Sequence, residues 1–275
     1  MTEFDLVTVV VPTRNNVRTI EACLASVTAQ TYPAVELIVV DNHSTDGTAD
    51  LARRHTAKVH IAGPERSAQR NLGIREAQGA WVLWLDSDMI LPPDTIATAV
   101  ATAATTGATG IALPERTIGD GFWTACRALE RECYLDEPWL HNPRLIRRDY
   151  LLGGGGFDLA MSGPEDADLR LRMMADGAGI ELAPVLVDHD EGRLTVRDVL
   201  SKRYYYGRSI PAFAGEHSGA VAAQGKTVLR SYARNYRRLA KDPAHAAGMV
   251  FLRALEAGGY AWGARRGAKD RAAAS

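Results

Sequence analysis

The sequence predicts an α/β fold: a Rossmann-like, mostly parallel central sheet flanked by helices, followed by a C-terminal helical extension. Three observations carry this prediction. Leu6–Val11 and Val35–Val40 are apolar, β-rich runs that each open into a polar loop and then a helical pattern, as a doubly wound sheet begins. Trp81–Leu85, bounded before by Gly79, is bulky and apolar enough for a buried strand and stops on two acids, Asp86 and Asp88. Beyond residue 195 the pattern turns helical, basic and aromatic.

At 275 residues, 46% hydrophobic and 24% charged, the chain suffices for one large α/β domain and an appendage. Its net charge of −1 hides an asymmetry. Residues 201–275 hold 14 Lys or Arg against 4 Asp or Glu, whereas residues 1–200 hold 18 against 29. A basic tail on an acidic body points either to an anionic partner or to packing of the tail on the body. Cys23, Cys126 and Cys133 have neither an even count nor metal-knuckle spacing, which predicts reduced thiols in a cytoplasmic protein. No leader pattern opens the chain and no stretch nears ~20 apolar residues, so neither secretion nor a membrane span is expected. The tail matches no nucleic-acid module, and nucleic acid is not an expected partner.

The first strand runs into Pro12-Thr13-Arg14-Asn15-Asn16. Asn15 or Asn16 can cap a helix whose buried face holds Val17, Ile20, Leu24 and Val27. The second strand runs into Asp41-Asn42-His43-Ser44-Thr45-Asp46-Gly47, with a turn signal at its end. Both loops then lie on one edge of the sheet and can face one ligand. Lys58–Ile61 reads as a third short strand, and residues 66–78 as an amphipathic helix leading to Trp81. In an extended segment residues two apart point to one side, so Asp86 and Asp88 can converge on one point. Two hard oxygen ligands there suit Mg²⁺ or Mn²⁺, and the plainer reading is an acidic turn.

Val9-Val10-Val11-Pro12-Thr13-Arg14-Asn15-Asn16, Val39-Val40-Asp41-Asn42-His43-Ser44-Thr45-Asp46-Gly47-Thr48, Ala68-Gln69-Arg70-Asn71-Leu72-Gly73 and Leu85-Asp86-Ser87-Asp88 form an ordered series. In order and spacing they resemble the successive signatures of family-2 glycosyltransferases, over roughly residues 5–210. The resemblance implies a GT-A fold over residues 1–210. Its nucleotide-binding part would span about 1–115 and its acceptor-binding part about 116–210, with 211–275 a basic helical extension. It implies inverting transfer from a nucleotide diphosphate sugar to a glycan, lipid-linked or natural-product acceptor, with Mg²⁺ or Mn²⁺ on the diphosphate. Asp86 and Asp88 would carry the cation, Asp88 as direct ligand. Pro12, Thr13, Arg14, Asn15, Asp41, Asn42, Arg66, Arg70 and Ser87 would surround the nucleotide. Many members carry Asp-Asp where this chain has Asp41-Asn42, which leaves UDP, dTDP and GDP sugars all open.

Further along, Pro92-Pro93 opens a helix that ends near Gly107, and Gly110–Leu113 reads as a strand. The aromatic stretch 119–140 reads either as an acceptor platform or as core. Residues 142–148 read as a strand with basic flanks, and Gly153–Asp158 resembles the family's Gly-Gly-Phe-Asp stretch with two extra glycines. Pro164, Glu165, Asp166 and Asp168 fit the first turn of a helix, where the dipole favours acids. The family's Glu-Asp motif maps onto Glu165-Asp166, which implies Asp166 as general base and Glu165 as its positioning neighbour. Ile180–Val187 reads as one strand ending at Asp188-His189. His189 is then either a polar strand end or, by the resemblance, a third metal ligand. In the basic, aromatic segment Lys202–Gly207 and just beyond it, Arg203 and Arg208 would stabilise the leaving group or serve surface packing.

Residues 211–225 are small and polar and read as a mobile segment. Lys226–Lys241 reads as a basic helix broken by Pro243, and Ala246–Gly263 as a second, more apolar one weakened by Gly248, Gly258, Gly259 and Gly263. Arg265, Arg266, Lys269 and Arg271 follow. Such a tail fits peripheral contact with the inner face of a membrane, or a homo-oligomer interface. Two other classes compete with the transferase. A sugar-nucleotide pyrophosphorylase should open with a Gly-rich, Arg-bearing loop, which Pro12–Asn16 is not. A non-catalytic nucleotide-sugar-binding or scaffold homologue would have no need of a base such as Asp166.

Overall fold

A computed structural model describes residues 4–161 and 163–274. In chain order the first elements are β1 (Val7–Thr13), α1 (Ile20–Thr28), β2 (Val35–Asp41), α2 (Thr48–Ala52), β3 (Val59–Ile61) and α3 (Arg66–Glu76). Then come β4 (Trp81–Trp84), β5 (Met89–Ile90), α4 (Thr95–Thr106), β6 (Gly110–Ala112), β7 (Glu115–Ile118) and α5 (Phe122–Glu132). The middle continues with β8 (Pro143–Arg147), α6 (Arg148–Gly153), α7 (Glu165–Ala175), β9 (Ile180–Leu182) and β10 (Val187–Asp190). The chain closes with α8 (Val196–Gly207), α9 (Ile210–Glu216), α10 (Ala220–Arg234), α11 (Tyr236–Lys241) and α12 (Pro243–Ala274). Two compact units emerge. The first comprises Met1–Pro114, His141–Leu159 and Leu169–Asp190; the second comprises Glu115–Leu140, Ala160–Asp168 and Glu191–Ser275.

The first unit is built on a seven-stranded sheet in the order β3-β2-β1-β4-β8-β6-β9. The valine run of β1 is buried on both faces because β1 lies between two parallel neighbours, β2 and β4, inside the sheet. On one face Ile20, Cys23, Leu24 and Val27 of α1 and Ile96, Ala99 and Ala103 of α4 cover Val9, Val11 and Leu83. On the other, Ile74 of α3, Leu151 of α6 and Leu169 and Met173 of α7 cover Val10, Val82 and Trp84. Gly73 lets α3 lie close on β1, since a Cβ there would fall 2.2 Å from Val10 Cγ1. Antiparallel β8 enters between β4 and β6, so the sheet is mixed.

Local departures from the sequence reading have local causes. The first helix begins at Ile20 rather than at the Asn pair, and the Asn16 carbonyl accepts the Thr19 and Ile20 amides. Val17 therefore precedes the helix and is exposed, while Cys23 fills its place in the buried stripe. The strand expected over Ile180–Val187 is two strands, with Pro184, which has no amide to donate, in the break. Its second half, β10, pairs antiparallel with β5.

In the second unit, α12 packs along α8 and α5. Glycines along α12, Gly258 excepted, make this packing possible. A Cβ on Gly263 would lie 2.1 Å from the Tyr204 carbonyl oxygen, and one on Gly267 2.0 Å from that of Arg208. Cys126, Val199, Met249 and Leu252 form the apolar centre. Around it runs a buried charge network. Arg127 meets Glu130 and Glu256 at 2.5 Å each, Arg203 meets Glu256 at 2.6 Å, and Arg253 holds both acids. The segment 211–225, small and polar in sequence, holds most of α9 and the start of α10. The expected single helix over Lys226–Lys241 breaks at Asn235, whose side-chain amide donates to the Cys133 carbonyl. The Arg271 side chain lies outside the described residues.

Candidate nucleotide and metal site

The first unit gathers polar groups at the carboxyl ends of β1, β2 and β4. Parallel register sets Thr13 beside Asp41, so the two strands end together. The side-chain amide of Gln69, on α3, donates to the Thr13 carbonyl at 2.9 Å and the Val40 carbonyl at 2.6 Å, pinning both ends. The loops beyond are stitched to each other. The Asn15 amide donates to Ser44 Oγ at 2.7 Å, and Asn15 Oδ1 accepts from the Thr45 amide at 2.9 Å. Asn16 Nδ2 donates to Ser87 Oγ at 2.7 Å, which ties the first loop to the acidic one. Pro12 is buried beneath this edge and Arg14 is exposed on it.

Thr13 Oγ1 and Asp41 Oδ1 are buried at this edge with no hydrogen-bond partner among the described residues. Asp41 Oδ2 accepts from the Ser44 amide at 2.8 Å, so one oxygen of the carboxylate is fixed and the other is available. A buried polar atom left unpaired is costly, and a ligand that donates to it recovers that cost. A cleft of 410 Å³ opens beside it, lined by Asp41, His43, Ser44, Thr45 and Arg53 among others. Asn42 faces elsewhere: its Nδ2 donates to the Pro64 carbonyl at 2.6 Å, anchoring the segment that leads into Arg66.

Residues 87–88 form a turn between Asp86 and Asp88, closed by the Met89 amide on the Asp86 carbonyl. Asp86 turns to arginines. Arg70 Nη2 lies 2.8 Å from it, Arg144 Nη2 3.4 Å and Arg66 Nη1 3.7 Å. Burial alone would raise the Asp86 pKa, but Arg70, Arg144, Arg66 and His189 together hold it well below the usual carboxylate range. Arg70 is fully buried, with its guanidinium 4.1 Å from the centroid of the Trp84 ring and 5.0 Å from that of Phe157. Arg144 lies 4.3 Å from the Trp84 ring centroid. It reaches Asp86 because β8 runs antiparallel to β4, and the sequence reading missed it. A charged residue inside the apolar strand Pro143–Arg147 is the signal that could have found it.

Asp88 turns to His189. Pairing of Met89 with His189 across β5 and β10 sets His189 Nε2 3.4 Å from Asp88 Oδ2. A carboxylate and an imidazole from adjacent strands offer one hard and one borderline ligand, a donor set that suits Mn²⁺.

The second unit holds the acid pair by itself. Glu165 is buried and accepts from the Gly163 amide, and Asp166 beside it is half-buried. Gly163, at φ +111°, packs against Tyr206, where any Cβ would strike the ring. Asp168 is buried with His217 Nε2 at 2.7 Å. Ser162, which opens this stretch, lies outside the described residues. Arg203 and Arg208, expected either at a leaving group or in packing, have partners inside this unit. Arg203 meets Glu256 and lies 5.6 Å from the Tyr260 ring centroid, and Arg208 meets Asp270 at 3.1 Å. Aromatics of 119–140 pack on side chains of α12. Trp123 packs on Phe251 at 5.5 Å and Phe122 on His245 at 4.9 Å.

Buried, unpaired polar atoms and arginines at the carboxyl ends of an open α/β sheet stand where domains of this class bind their ligands. The pattern of Glycosyl transferase family 2 matches residues 8–159, more than half of the chain. Glycosyltransferase AglE of Haloferax volcanii is 36% identical over 110 residues, which cover 37% of this chain and 36% of that protein. The poly(ribitol-phosphate) beta-N-acetylglucosaminyltransferase TarS of Staphylococcus aureus is 32% identical over 104 residues, covering 34% of this chain and 18% of that one. The matched stretch thus spans about a third of the first relative and under a fifth of the second. Among solved structures, the mannosyltransferase PcManGT of Pyrobaculum calidifontis in complex with GDP-Man and Mn²⁺ superposes with a TM-score of 0.66 at 22% identity. That superposition covers 98% of this chain and 88% of that one. TarS residues 1–349 in complex with UDP give 0.50 at 19% identity, over 74% of this chain and 65% of that one. This chain belongs to glycosyl transferase family 2 and has the GT-A fold.

Proposed function

We propose that this protein transfers a sugar from a nucleotide diphosphate sugar to a hydroxyl acceptor, with inversion at the anomeric carbon. The observation that carries the reading is the arrangement at the ends of β1, β2 and β4. Unpaired Thr13 and Asp41 lie at one end of it, and the Arg66/Arg70/Arg144 cluster around Asp86 at the other. Asp41 Oδ1 accepts from a ring N–H, which uracil, thymine and guanine present at neutral pH and adenine and cytosine do not. UDP, dTDP and GDP sugars therefore remain the donor class. PcManGT with GDP-Man and TarS with UDP lie within it.

The arginines hold the diphosphate and neutralise the charge that grows on it as the glycosidic bond breaks. Asp88 and His189 would hold a divalent cation, which would supply Lewis-acid charge neutralisation. Asp166 takes the proton of the acceptor hydroxyl as its oxygen attacks the anomeric carbon, and Glu165 positions it. The nucleoside diphosphate leaves from the opposite face, which inverts the centre. The acceptor is a glycan, a lipid-linked sugar or a small natural product.

The test is a panel of UDP, GDP and dTDP, each with and without Mn²⁺, read as a thermal shift. A ligand at a hundred times its Kd should stabilise by about 2.7 kcal/mol. One base should shift the midpoint, and only with metal. Nucleoside diphosphate release from the matching sugar, with water as acceptor, then reads turnover. Asp166→Asn should lower that release by about 10²–10⁴-fold while the thermal shift survives. A shift by no nucleotide, or full turnover in the Asp166→Asn protein, overturns the reading.

A further inference from the structure

The basic helices of the second unit carry a surface that the transferase reading leaves unused. Residues 220–241 contain six Lys or Arg and no Asp or Glu. The inner side of α10 is committed to its own unit. Ser231 is buried, Tyr232 donates its hydroxyl to Glu130 at 2.5 Å, and Asn235 at the end of the helix holds the Cys133 carbonyl. Arg234 and Arg238 are also committed, to Glu137 and Glu132. The outer side is different. Lys226, Arg230, Arg237 and Lys241 are exposed and make no ion pair among the described residues. Between them stand Leu229, 67% exposed, and Tyr236, 58% exposed. Lys226, Leu229 and Arg230 fall within one helical turn, and Arg237 donates from Nε to the Tyr236 hydroxyl at 3.0 Å.

We infer that this outer side of α10 and α11 docks on an anionic lipid surface. Charge complementarity selects the partner: four cations with no acid on their own helices face whatever binds there. The apolar side chains between them distinguish a bilayer from a soluble polyanion. A leucine and a tyrosine ringed by Lys and Arg bury the apolar groups at the acyl boundary while the cations meet lipid phosphates. Among the described residues no helix is long and apolar enough to cross a membrane, so the attachment is peripheral and reversible. The inference stands apart from the transferase reading, because its test reads binding and not turnover.

The experiment is co-sedimentation of the full chain with vesicles of phosphatidylcholine alone or with about a third phosphatidylglycerol. The protein should partition onto the anionic vesicles and not the neutral ones, and added salt should release it. At about five-fold per cation, the variant K226Q/R230Q/R237Q/K241Q should bind at least a hundred-fold more weakly. L229S/Y236S, with every charge kept, should bind about ten-fold more weakly. All six positions are exposed, so both variants should keep the wild-type thermal midpoint, which controls for folding. Equal partition onto neutral vesicles, or wild-type binding by the quadruple variant, overturns the inference. So does a soluble polyphosphate that binds L229S/Y236S as tightly as wild type while no vesicle does. A dimer in sedimentation velocity that L229S/Y236S splits, in protein that ignores vesicles, assigns the surface to a second copy instead.

Discussion

Two arginine clusters, one in each unit, use the same chemistry to opposite ends. Around Asp86, Arg70, Arg144 and Arg66 approach at 2.8, 3.4 and 3.7 Å, and the Arg66 side chain keeps a third of its surface open. Around Glu130 and Glu256, Arg127, Arg203 and Arg253 close to short distances, and both acids are almost fully buried. The first cluster sits at the end of a strand beside buried oxygens without partners. The second sits among packed helices, where Tyr232 completes it. Arg144 and Arg66, at 3.4 and 3.7 Å from Asp86, have room to turn to another anion, whereas the contacts of 2.5–2.6 Å around Glu130 and Glu256 hold helices together. Buried charge by itself therefore does not mark a site. Room to change partners does.

The comparison breaks most easily at Glu256. Glu256→Ala leaves Arg127, Arg203 and Arg253 short of a buried counter-charge and should cost about 3–5 kcal/mol in stability, read by urea unfolding. Nucleoside diphosphate affinity of the protein that remains folded should not change. If that variant weakens binding more than it weakens folding, the second cluster is not merely structural. The acid limb sharpens the same point. Burial would raise the Glu256 pKa, but Arg203, Arg127 and Arg253 pull it down to about 2. A carboxylate depressed in the folded state stabilises above its unfolded pKa, so this contribution is complete above about pH 4.5 and lost as pH falls toward 2. Over that window it amounts to on the order of 3 kcal/mol. Glu256→Gln should remove that part of the slope from an acid-unfolding curve, and an unchanged slope would refute the assignment.

Arg144→Ala tests the open cluster. It should weaken nucleoside diphosphate binding by about 10–100-fold, as loss of one charge-assisted contact does, with a smaller effect on unfolding. Calorimetric titration decides it, and unchanged affinity would remove Arg144 from the site. Gly263→Ala places a Cβ against the Tyr204 carbonyl and should cost about 1–3 kcal/mol, while Gly258→Ala, with open space around it, should cost nothing. The smallest effect belongs to Asn16→Ala, about 1 kcal/mol from the lost Ser87 bond, visible as a modest fall in melting temperature.

The strands around the donor edge were legible because their code is local. Valine runs in β1 and β2, polar loops at their ends and Trp81–Leu85 before the acids each announce themselves within a few residues. The acid loop was legible in composition, and only the fold supplied its partners: arginines around Asp86, and His189 beside Asp88 and acting on Asp86 too. Arg144 was hidden because its approach to Asp86 depends on an antiparallel strand arriving from 58 residues away. Arg203 stayed undecided in sequence because its partner Glu256 lies 53 residues further on.

The sequence alone determined the alternation of strand, loop and helix, the burial of the first strands and the family to which the chain belongs. These depend on periodicity and on short motifs, and both are properties of neighbouring residues. Tertiary structure decided which charges meet. It set Arg144 on Asp86, His189 on Asp88 and Glu256 among three arginines, and it turned helix-weakening glycines into the contact between α8 and α12. Pairings of that kind follow from strand register and helix packing between distant segments, and no local pattern encodes them.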